Sequence, residues 1–242
     1  MRQKNSSLFK LSILIPIYNE IAYLDEFTKR LKKTFDSEDA EYIFINDGST
    51  DGSNEWLDQF VSNQKNKRNK LINLKRNCGK GKALQQGIKN STGDYLLFQD
   101  ADLELDTADS LEMYKIIKND SRIECVFGSR YLTGKLTRSK NYLYKFVGKF
   151  NSFLFNILFN QSLSDVHCGT KIVSRKIIDN IKLTINDFGF EIDIASQIAK
   201  KKYKIYEFGI SYYARSVKEG KKITWLDGIK CYYYLLKLRF FK

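Results

Sequence analysis

The run Tyr95-Leu-Leu-Phe-Gln-Asp-Ala-Asp102 decides how the fold is read. Tyr95 to Phe98 is apolar, follows Gly93-Asp94, and reads as a buried strand. Asp100 and Asp102 then stand where that strand should end. Residues two apart on a strand share a face. Both carboxylates would therefore look into one crevice at the carboxyl edge of a sheet, where open α/β sheets bind ligands. Two carboxylates this close repel, and a bound cation relieves the repulsion. Oxygen ligands suit Mg²⁺ or Mn²⁺, ions commonly shared with substrate phosphates. A solvated acidic turn would spell the same motif, so the rest of the chain must discriminate.

Two more strand-to-turn junctions repeat the arrangement. Leu11-Ser-Ile-Leu-Ile-Pro-Ile-Tyr-Asn-Glu20 is an apolar strand running into a polar turn. In Glu41-Tyr-Ile-Phe-Ile-Asn-Asp-Gly-Ser-Thr-Asp-Gly-Ser53 a β-rich run meets Asp47-Gly48, and Ser, Thr and Asp then open a helix. Such a turn suits close approach of a nucleotide; ordinary helix capping explains Ser49 to Asp51 equally well. Strands are expected near Leu11–Pro16, Tyr42–Asn46, Leu71–Leu74, Tyr95–Gln99 and Cys125–Gly128. Leu24, Phe27, Leu31 and Phe35 keep helical spacing, and Lys80 to Lys89 and Ser110 to Ile117 read likewise. This alternation predicts an α/β fold: a mostly parallel sheet with helices on both faces. Further on, Phe188 to Lys201 reads as a helix and Tyr203 to Tyr213 as one or two strands.

Composition bounds the class. The 242 residues are 43% hydrophobic with one Pro, which suits one domain over residues 1–242 with a sizeable core. No repeat, linker or low-complexity tract stands out. Met1 to Leu8 reads as a tail. Arg2 and Lys4 ahead of an apolar stretch resemble a signal peptide, but Lys10 interrupts that stretch, so a first strand is expected. Cys78, Cys125, Cys168 and Cys231 are scattered, which fits a reducing cytosolic compartment better than a disulfide framework. His167, the single histidine, has no zinc-site spacing with them. The net charge of +13 points to anionic partners. No nucleic-acid module signature is present, so phosphate substrates and an anionic membrane surface lead.

The runs PIYNE, NDGSTDGS, GKGKALQQGI, GDYLLFQDADLE, FGSRY, DVHCGTKIVSRK, FGFEID and SYYARSVKEGKKITWLDG follow one another from about Leu11 to about Gly228. Together they resemble a family 2 glycosyltransferase of GT-A (Rossmann-like) fold, and specifically the polyprenyl- or dolichyl-phosphate mannose or glucose synthase branch. The resemblance implies Asp102 as a direct metal ligand, with Glu104 as a second ligand or a surface carboxylate, and Asp100 nearer the sugar or ribose. It implies that Pro16, Tyr18, Glu20 and Asp47 contact the base and ribose. Gly79-Lys80-Gly81-Lys82 is similar to the family's G-x-G loop. Gly79 would let the backbone approach the nucleotide and Lys82 would face it; a plain flexible turn has the same spacing.

Arg130 follows a strand, at an edge where a guanidinium can clamp phosphate in two-pronged fashion. Arg215, Lys218, Lys221 and Lys222 surround Gly220 and match the family's basic segment, a loop closing over phosphates. Glu191 and Asp193 fall on a helix near the site. Many family members use a carboxylate here as general base toward a sugar hydroxyl. A polyprenyl phosphate is already ionised and needs none, so Glu191 is assigned to positioning. Two departures from the pattern bear on the acceptor: Thr170 stands before Lys171 where relatives usually carry an aromatic, and the usual Pro after Asp102-Leu-Glu is absent.

Tyr142 to Phe159 is rich in Phe, Leu and Tyr but is interrupted by Lys145 and Lys149, too broken to span a membrane. From about residue 222 to 242 the chain reads as an amphipathic helix. Ile229, Tyr232, Leu236 and Phe240 lie on one side and Lys230 and Lys237 on another, suited to a membrane interface or to packing on the domain. The resulting expectation is an inverting, metal-dependent enzyme, peripheral on the cytosolic membrane face. It would move a sugar from a UDP- or GDP-sugar to a polyprenyl phosphate. A surface-glycan hydroxyl acceptor is the close alternative. A nucleotidyltransferase, or a non-catalytic nucleotide-sugar binding protein, would share parts of the pattern.

Overall fold

The structure, a computed structural model, describes residues 10–63, 68–132, 134–138, 142–215 and 225–241. Its strands are β1 Leu11–Ile17, β2 Ala40–Asn46, β3 Asn69–Asn73, β4 Tyr95–Phe98, β5 Cys125–Ser129, β6 Thr137–Arg138, β7 Lys171–Ser174, β8 Tyr206–Gly209 and β9 Tyr212–Tyr213. Its helices are α1 Ile21–Phe35, α2 Ser53–Ser62, α3 Lys80–Asn90, α4 Thr107–Asn119, α5 Tyr142–Phe159, α6 Arg175–Asp179, α7 Phe190–Lys200 and α8 Trp225–Phe240. Seven strands form one sheet in the order β3-β2-β1-β4-β7-β5-β8, and β6 and β9 form a small second one. The main sheet is parallel except for β7, which runs antiparallel between β4 and β5. This is the α/β, mostly parallel architecture expected, with β7 as the strand that hydrophobic runs alone did not locate.

Both faces of the sheet are covered, which is why its strands are apolar without alternation. The pleat sorts them cleanly. Leu14, Ile43, Ile45, Leu96, Phe98 and Phe127 enter one core with residues of α3, α5, α7 and α8. Leu11, Ile13, Ile15, Tyr42, Phe44, Leu97 and Val126 enter the other with α1, α2 and α4. Leu24, Phe27, Leu31 and Phe35, the periodic set read from sequence, are the buried face of α1.

The turns after β1 and β2 are stitched together. Asn19 N–H donates to Ser49 Oγ at 3.0 Å, Glu20 N–H to Ser53 Oγ at 3.1 Å, and Ile21 N–H to Asp51 Oδ2 at 3.0 Å. Capping is the work of Asp51 on both helices: its Oδ2 takes the first N–H of α1, and its Oδ1 accepts from the Ser53 N–H that opens α2 at 3.0 Å. That brings both turns to the carboxyl edge as one unit.

At the other end of the chain α8 lies on α5 and α7, with Cys231, Leu235 and Leu238 buried in the first core. Tyr234 Oη donates to Asp187 Oδ2 at 2.7 Å. The helix is therefore an integral wall of the domain as well as a surface. Among its described residues Tyr233, Leu236 and Phe240 are exposed and apolar, followed by Phe241 just beyond it. Tyr232, assigned to the apolar side from sequence, is instead half-buried, and its ring meets Phe150 edge-on. Replacing Leu235, 1% exposed, by Ala is expected to destabilise the protein by about 2–5 kcal/mol. Urea denaturation followed by circular dichroism measures it; an unchanged midpoint would contradict the assignment of α8 to the core.

Candidate active site

The carboxyl ends of β1, β2 and β4 deliver Tyr18 to Glu20, Asp47 and Asp100 to Glu104 to one edge. The antiparallel β7 starts at that same edge, with Lys171 opposite Phe98, so the segment from Asp165 to Thr170 passes beside Asp100. The strand carrying the D-x-D motif ends at Phe98, and Leu103 turns the chain with φ 56°. Asp100 and Asp102 thus share a crevice but not a strand face, and each faces a different cation.

Asp100 meets Lys80, whose Nζ lies 2.7 Å from Oδ1 and 2.9 Å from Oδ2. The same ammonium lies 3.0 Å from Glu191 Oε1. Glu191 Oε2 in turn accepts from Lys171 Nζ at 2.6 Å, and that side chain is fully buried. Lys171 also donates to the Cys168 carbonyl. Asp100, Lys80, Glu191 and Lys171 form one alternating chain of charge across β4, α3, α7 and β7. Burial works against the charged form of Lys80, but Asp100 and Glu191 outweigh it and hold its pKa above the usual lysine range. Glu191 thus has an ammonium within 3.0 Å of each carboxylate oxygen. Gly169 has no room for a side chain: a Cβ there would stand 2.3 Å from Asp100 Oδ2.

Asp102 and Glu104 meet Arg215. Its Nη2 lies 2.9 Å from Asp102 Oδ2, its Nε 3.4 Å from Glu104 Oε1 and its Nη1 3.0 Å from Glu20 Oε2. The Arg215 backbone N–H also donates to Glu104 Oε1 at 2.9 Å. Burial, then the Asp100 charge, push the Asp102 carboxyl up to about 7, against the pull of Arg215. Arg215 was expected to present its fork to phosphate; here the fork is filled by carboxylates. Among the described residues no three carboxylate, histidine or cysteine side chains form a ready cage for an ion. The oxygens of Glu20, Asp102 and Glu104 surround the Arg215 guanidinium instead, and they are hard donors of the kind a divalent ion takes.

Other expected site residues take different parts. Arg130 is not an open phosphate clamp: its Nε and Nη2 bind Asp165 Oδ2 and Oδ1 at 2.7 and 2.8 Å, and Asp165 is fully buried. Burial opposes both charges, but each holds the other ionised, Asp165 below and Arg130 above its ordinary value. Asp193 is engaged on a neighbouring loop. Its Oδ2 accepts from the Thr184 and Ile185 N–H groups at 2.6 and 2.9 Å, which fastens the approach to α7. Asp47 accepts from Cys78 N–H at 2.8 Å and Gly79 N–H at 2.9 Å, tying the glycine loop to β2. Gly79 has φ 95°, and a Cβ there would stand 2.4 Å from the Asn186 carbonyl oxygen. Packing on that backbone excludes a side chain. Pro16 and Tyr18 are partly exposed at the β1 edge. Lys82 is half-buried, and its N–H donates to the Asn186 carbonyl at 2.9 Å. Lys218, Lys221 and Lys222 lie outside the described residues.

Lys80, not Lys82, is the loop lysine that enters the site, and Lys171 and Asp165 complete the ion pairs. A faint signal existed for each lysine. Lys80 opens a helix, where the dipole disfavours a cation, and Lys171 opens the apolar strand Lys171-Ile-Val-Ser. Both positions ask for a carboxylate partner that the linear sequence does not identify.

This arrangement, a parallel sheet with acidic turns at its carboxyl edge, is that of the GT-A glycosyltransferases. Residues 12–182 match the family model described as Glycosyl transferase family 2, and the chain belongs to that family. It is 29% identical over 220 residues to a dolichyl-phosphate beta-glucosyltransferase of Dictyostelium discoideum, covering 84% of this chain and 66% of that one. It is 26% identical over 234 residues to a dolichol-phosphate mannosyltransferase of Pyrococcus furiosus, covering 94% of this chain and 64% of that one. An undecaprenyl-phosphate 4-deoxy-4-formamido-L-arabinose transferase of Proteus mirabilis is 27% identical over 172 residues, 70% of this chain and 50% of that one. The chain thus spans two thirds or less of the length of these relatives. Among solved structures, glucosyl-3-phosphoglycerate synthase from Mycobacterium tuberculosis with Mn²⁺ and UDP-glucose superposes with a TM-score of 0.74 at 15% identity. The superposition covers 96% of this chain and 79% of that one.

Gly169→Ala is expected to push Asp100 off Lys80 and lower sugar transfer about a hundredfold, the penalty for misplacing a reacting group by ~1 Å. Turnover of the variant beside its melting temperature checks this; wild-type turnover would show that the Asp100–Lys80 geometry is not used.

Proposed function

We propose that the protein transfers a sugar, with inversion, from a UDP- or GDP-sugar to a polyprenyl phosphate. The observation that carries this reading is Glu191. The carboxylate that could serve as general base is hydrogen-bonded to Lys171 on one oxygen and has the Lys80 ammonium 3.0 Å from the other. An acceptor hydroxyl would need a free base; a phosphate monoester does not, because its second pKa near 6 leaves it mostly ionised at pH 7. A phosphate oxygen attacks the anomeric carbon, the bond from that carbon to the diphosphate breaks, and UDP or GDP leaves. The relatives named for dolichyl- and undecaprenyl-phosphate transfer support the same acceptor class.

The chain's own groups divide the work. Asp47 and the turn from Pro16 to Glu20 border the nucleotide site. Asp100, fixed by Lys80, faces the sugar or ribose. Asp102 and Glu104 would hold Mg²⁺ or Mn²⁺, which when bound supplies Lewis-acid stabilisation of the departing diphosphate. Arg215 and the basic segment after it supply charge for the acceptor phosphate.

A lipid acceptor needs a surface to meet it. No helix among the described residues is long and apolar enough to cross a membrane. Helix α5 instead exposes Tyr142, Phe146, Phe150, Phe153 and Ile157, spaced along one helical face. The rings from Tyr142 to Phe153 stack in succession at 6.3 to 6.5 Å. The exposed apolar side chains of α8 add to them, and Lys145, Lys149, Lys230 and Arg239 are exposed on the same two helices. Such a surface suits the interface of an anionic leaflet. The sequence placed this role on α8 alone.

Two outcomes are expected. Arg215→Lys, which loses the planar fork, should reduce transfer to a short polyprenyl phosphate roughly tenfold to a hundredfold, whereas Glu191→Gln should cost less. Steady-state kinetics with saturating donor decide it. An inactive Glu191→Gln beside a near-wild-type Arg215→Lys would mean a hydroxyl acceptor. Second, replacing Phe146 and Phe153 by Ser should weaken sedimentation with phosphatidylglycerol vesicles at least about tenfold, since each buried Phe contributes about 1.5–3 kcal/mol. Unchanged sedimentation of the folded variant would remove α5 from the interface.

A further inference from the structure

Basic side chains meet in a groove at the end of α7 remote from the catalytic edge. Lys200, Lys202, Lys204 and Arg239 line it together with Phe159 and Tyr203, and its volume is about 730 Å³. That is the size of a small-molecule site. No Asp or Glu among the described residues lines it. Glu124 borders only a smaller pocket on the other side of Lys202 to Lys204, and its carboxylate is taken by Lys176 at 3.0 Å. Helix α7 carries Glu191 in its first turn and Lys200 in its last, so the groove lies about 14 Å along that helix from the catalytic carboxylate.

Helix ends attract cations, and Lys200 and Arg239 fall in the last turns of α7 and α8. Lys200 serves that role directly, donating to the Leu238 carbonyl. The helix dipole does not account for Lys204, which lies beyond the turn, nor for a lysine at 202. Lys202 N–H returns to the Ala199 carbonyl at 2.9 Å and Tyr203 N–H to the Ile198 carbonyl at 3.3 Å. This is a helix-ending turn whose left-handed position usually goes to glycine. Lys202 holds that position at φ 59°, so a charged side chain is kept where the backbone favours none. Lys202 and Lys204 are both exposed.

Apolar surface adjoins the cations. Phe240 and Phe241 directly follow Arg239 and are 65% and 81% exposed. Helices α5 and α8 run the same way toward the groove. They meet at Phe150 with Tyr232 and again at Phe159 with Arg239, whose guanidinium lies 6.0 Å from the ring centre. A free phosphate would use the charges alone; an amphiphile with an anionic head uses the charges and the aromatic surface together.

We propose that this groove takes the phosphodiester headgroup of an anionic phospholipid, with the acyl chains against the neighbouring aromatic side chains. The protein is then held on an anionic leaflet by two separate contacts, the α5 face and this groove. The assignment rests on the membrane reading given above and adds a saturable site to it.

Two measurements on the full chain test it. Monomeric dihexanoyl phosphatidylglycerol should bind the wild type saturably in isothermal titration calorimetry, and the double variant Lys202→Gly, Lys204→Gln roughly tenfold more weakly. Glycine suits the left-handed backbone at 202, so the variant should keep its Tm. Absence of saturable binding, or equal binding by the variant, would overturn the site. Inorganic phosphate binding the wild type as tightly as the lipid would overturn the lipid assignment. Sedimentation with phosphatidylglycerol vesicles should also weaken roughly tenfold in this variant. It should change less than about twofold in Lys33→Gln, Lys115→Gln, which removes equal charge from exposed positions on α1 and α4. Equal losses in the two variants would overturn the groove and leave the membrane reading intact. A wild type that sediments with no vesicle would overturn the membrane reading and the groove's lipid role with it.

Discussion

Compensation of like charge at one sheet edge is the constraint on which the rest of this structure depends. Glu20, Asp100, Asp102, Glu104 and Glu191 converge there, Glu20 and Glu191 buried and the other three partly so. Carboxylates in such a place need cations, and the fold supplies two separate answers. Lys80 and Lys171 are permanent partners, set on a helix start and a buried strand and packed against Asp100 and Glu191. Arg215 is a partner at the end of a short edge strand, holding Glu20, Asp102 and Glu104 together. The lysine pairs join Asp100 and Glu191; Arg215 joins the other three carboxylates.

That division gives a physical account of acceptor chemistry. A carboxylate held between two ammonium groups is well suited to orient a neighbour and badly suited to take a proton. A site built in this way favours a nucleophile that arrives already charged. In the proposed reaction, the exposed aromatic face of α5 and the basic residues around it would meet the lipid-borne acceptor. Catalytic edge and aromatic face are joined through α7, which carries Glu191 at one end and buries its apolar side against the core that α5 and α8 complete.

Much of the fold was legible before any coordinates. β1, β2, β4 and β5 lie where their apolar runs end in polar turns, because a strand buried on both faces leaves a continuous hydrophobic signal. Helix α1 was equally plain from its period. β7 was not, because Lys171-Ile-Val-Ser is short and opens on a charge, and nothing local says that the charge will be paired. Of the site, Asp100, Asp102, Glu104 and Glu191 were legible from motif order. The roles of Arg130 and Asp193 were not, since a guanidinium or carboxylate at a strand or helix end looks the same whether it waits for a ligand or closes an ion pair.

The sequence by itself determined the class of fold, the acidic edge and the excess of positive charge, because those follow from local periodicity and from residue type. Only the tertiary structure decided which cation meets which anion. Ion pairs at this edge join residues up to 195 positions apart, as Glu20 and Arg215 do, and no local rule carries pairing over such a separation. The antiparallel insertion of β7 places Lys171 under Glu191 and Gly169 against Asp100, and the packing of α3 on Asn186 aims Lys80 between two acids. Charge was written in the chain; its neutralisation required the strands to be in register.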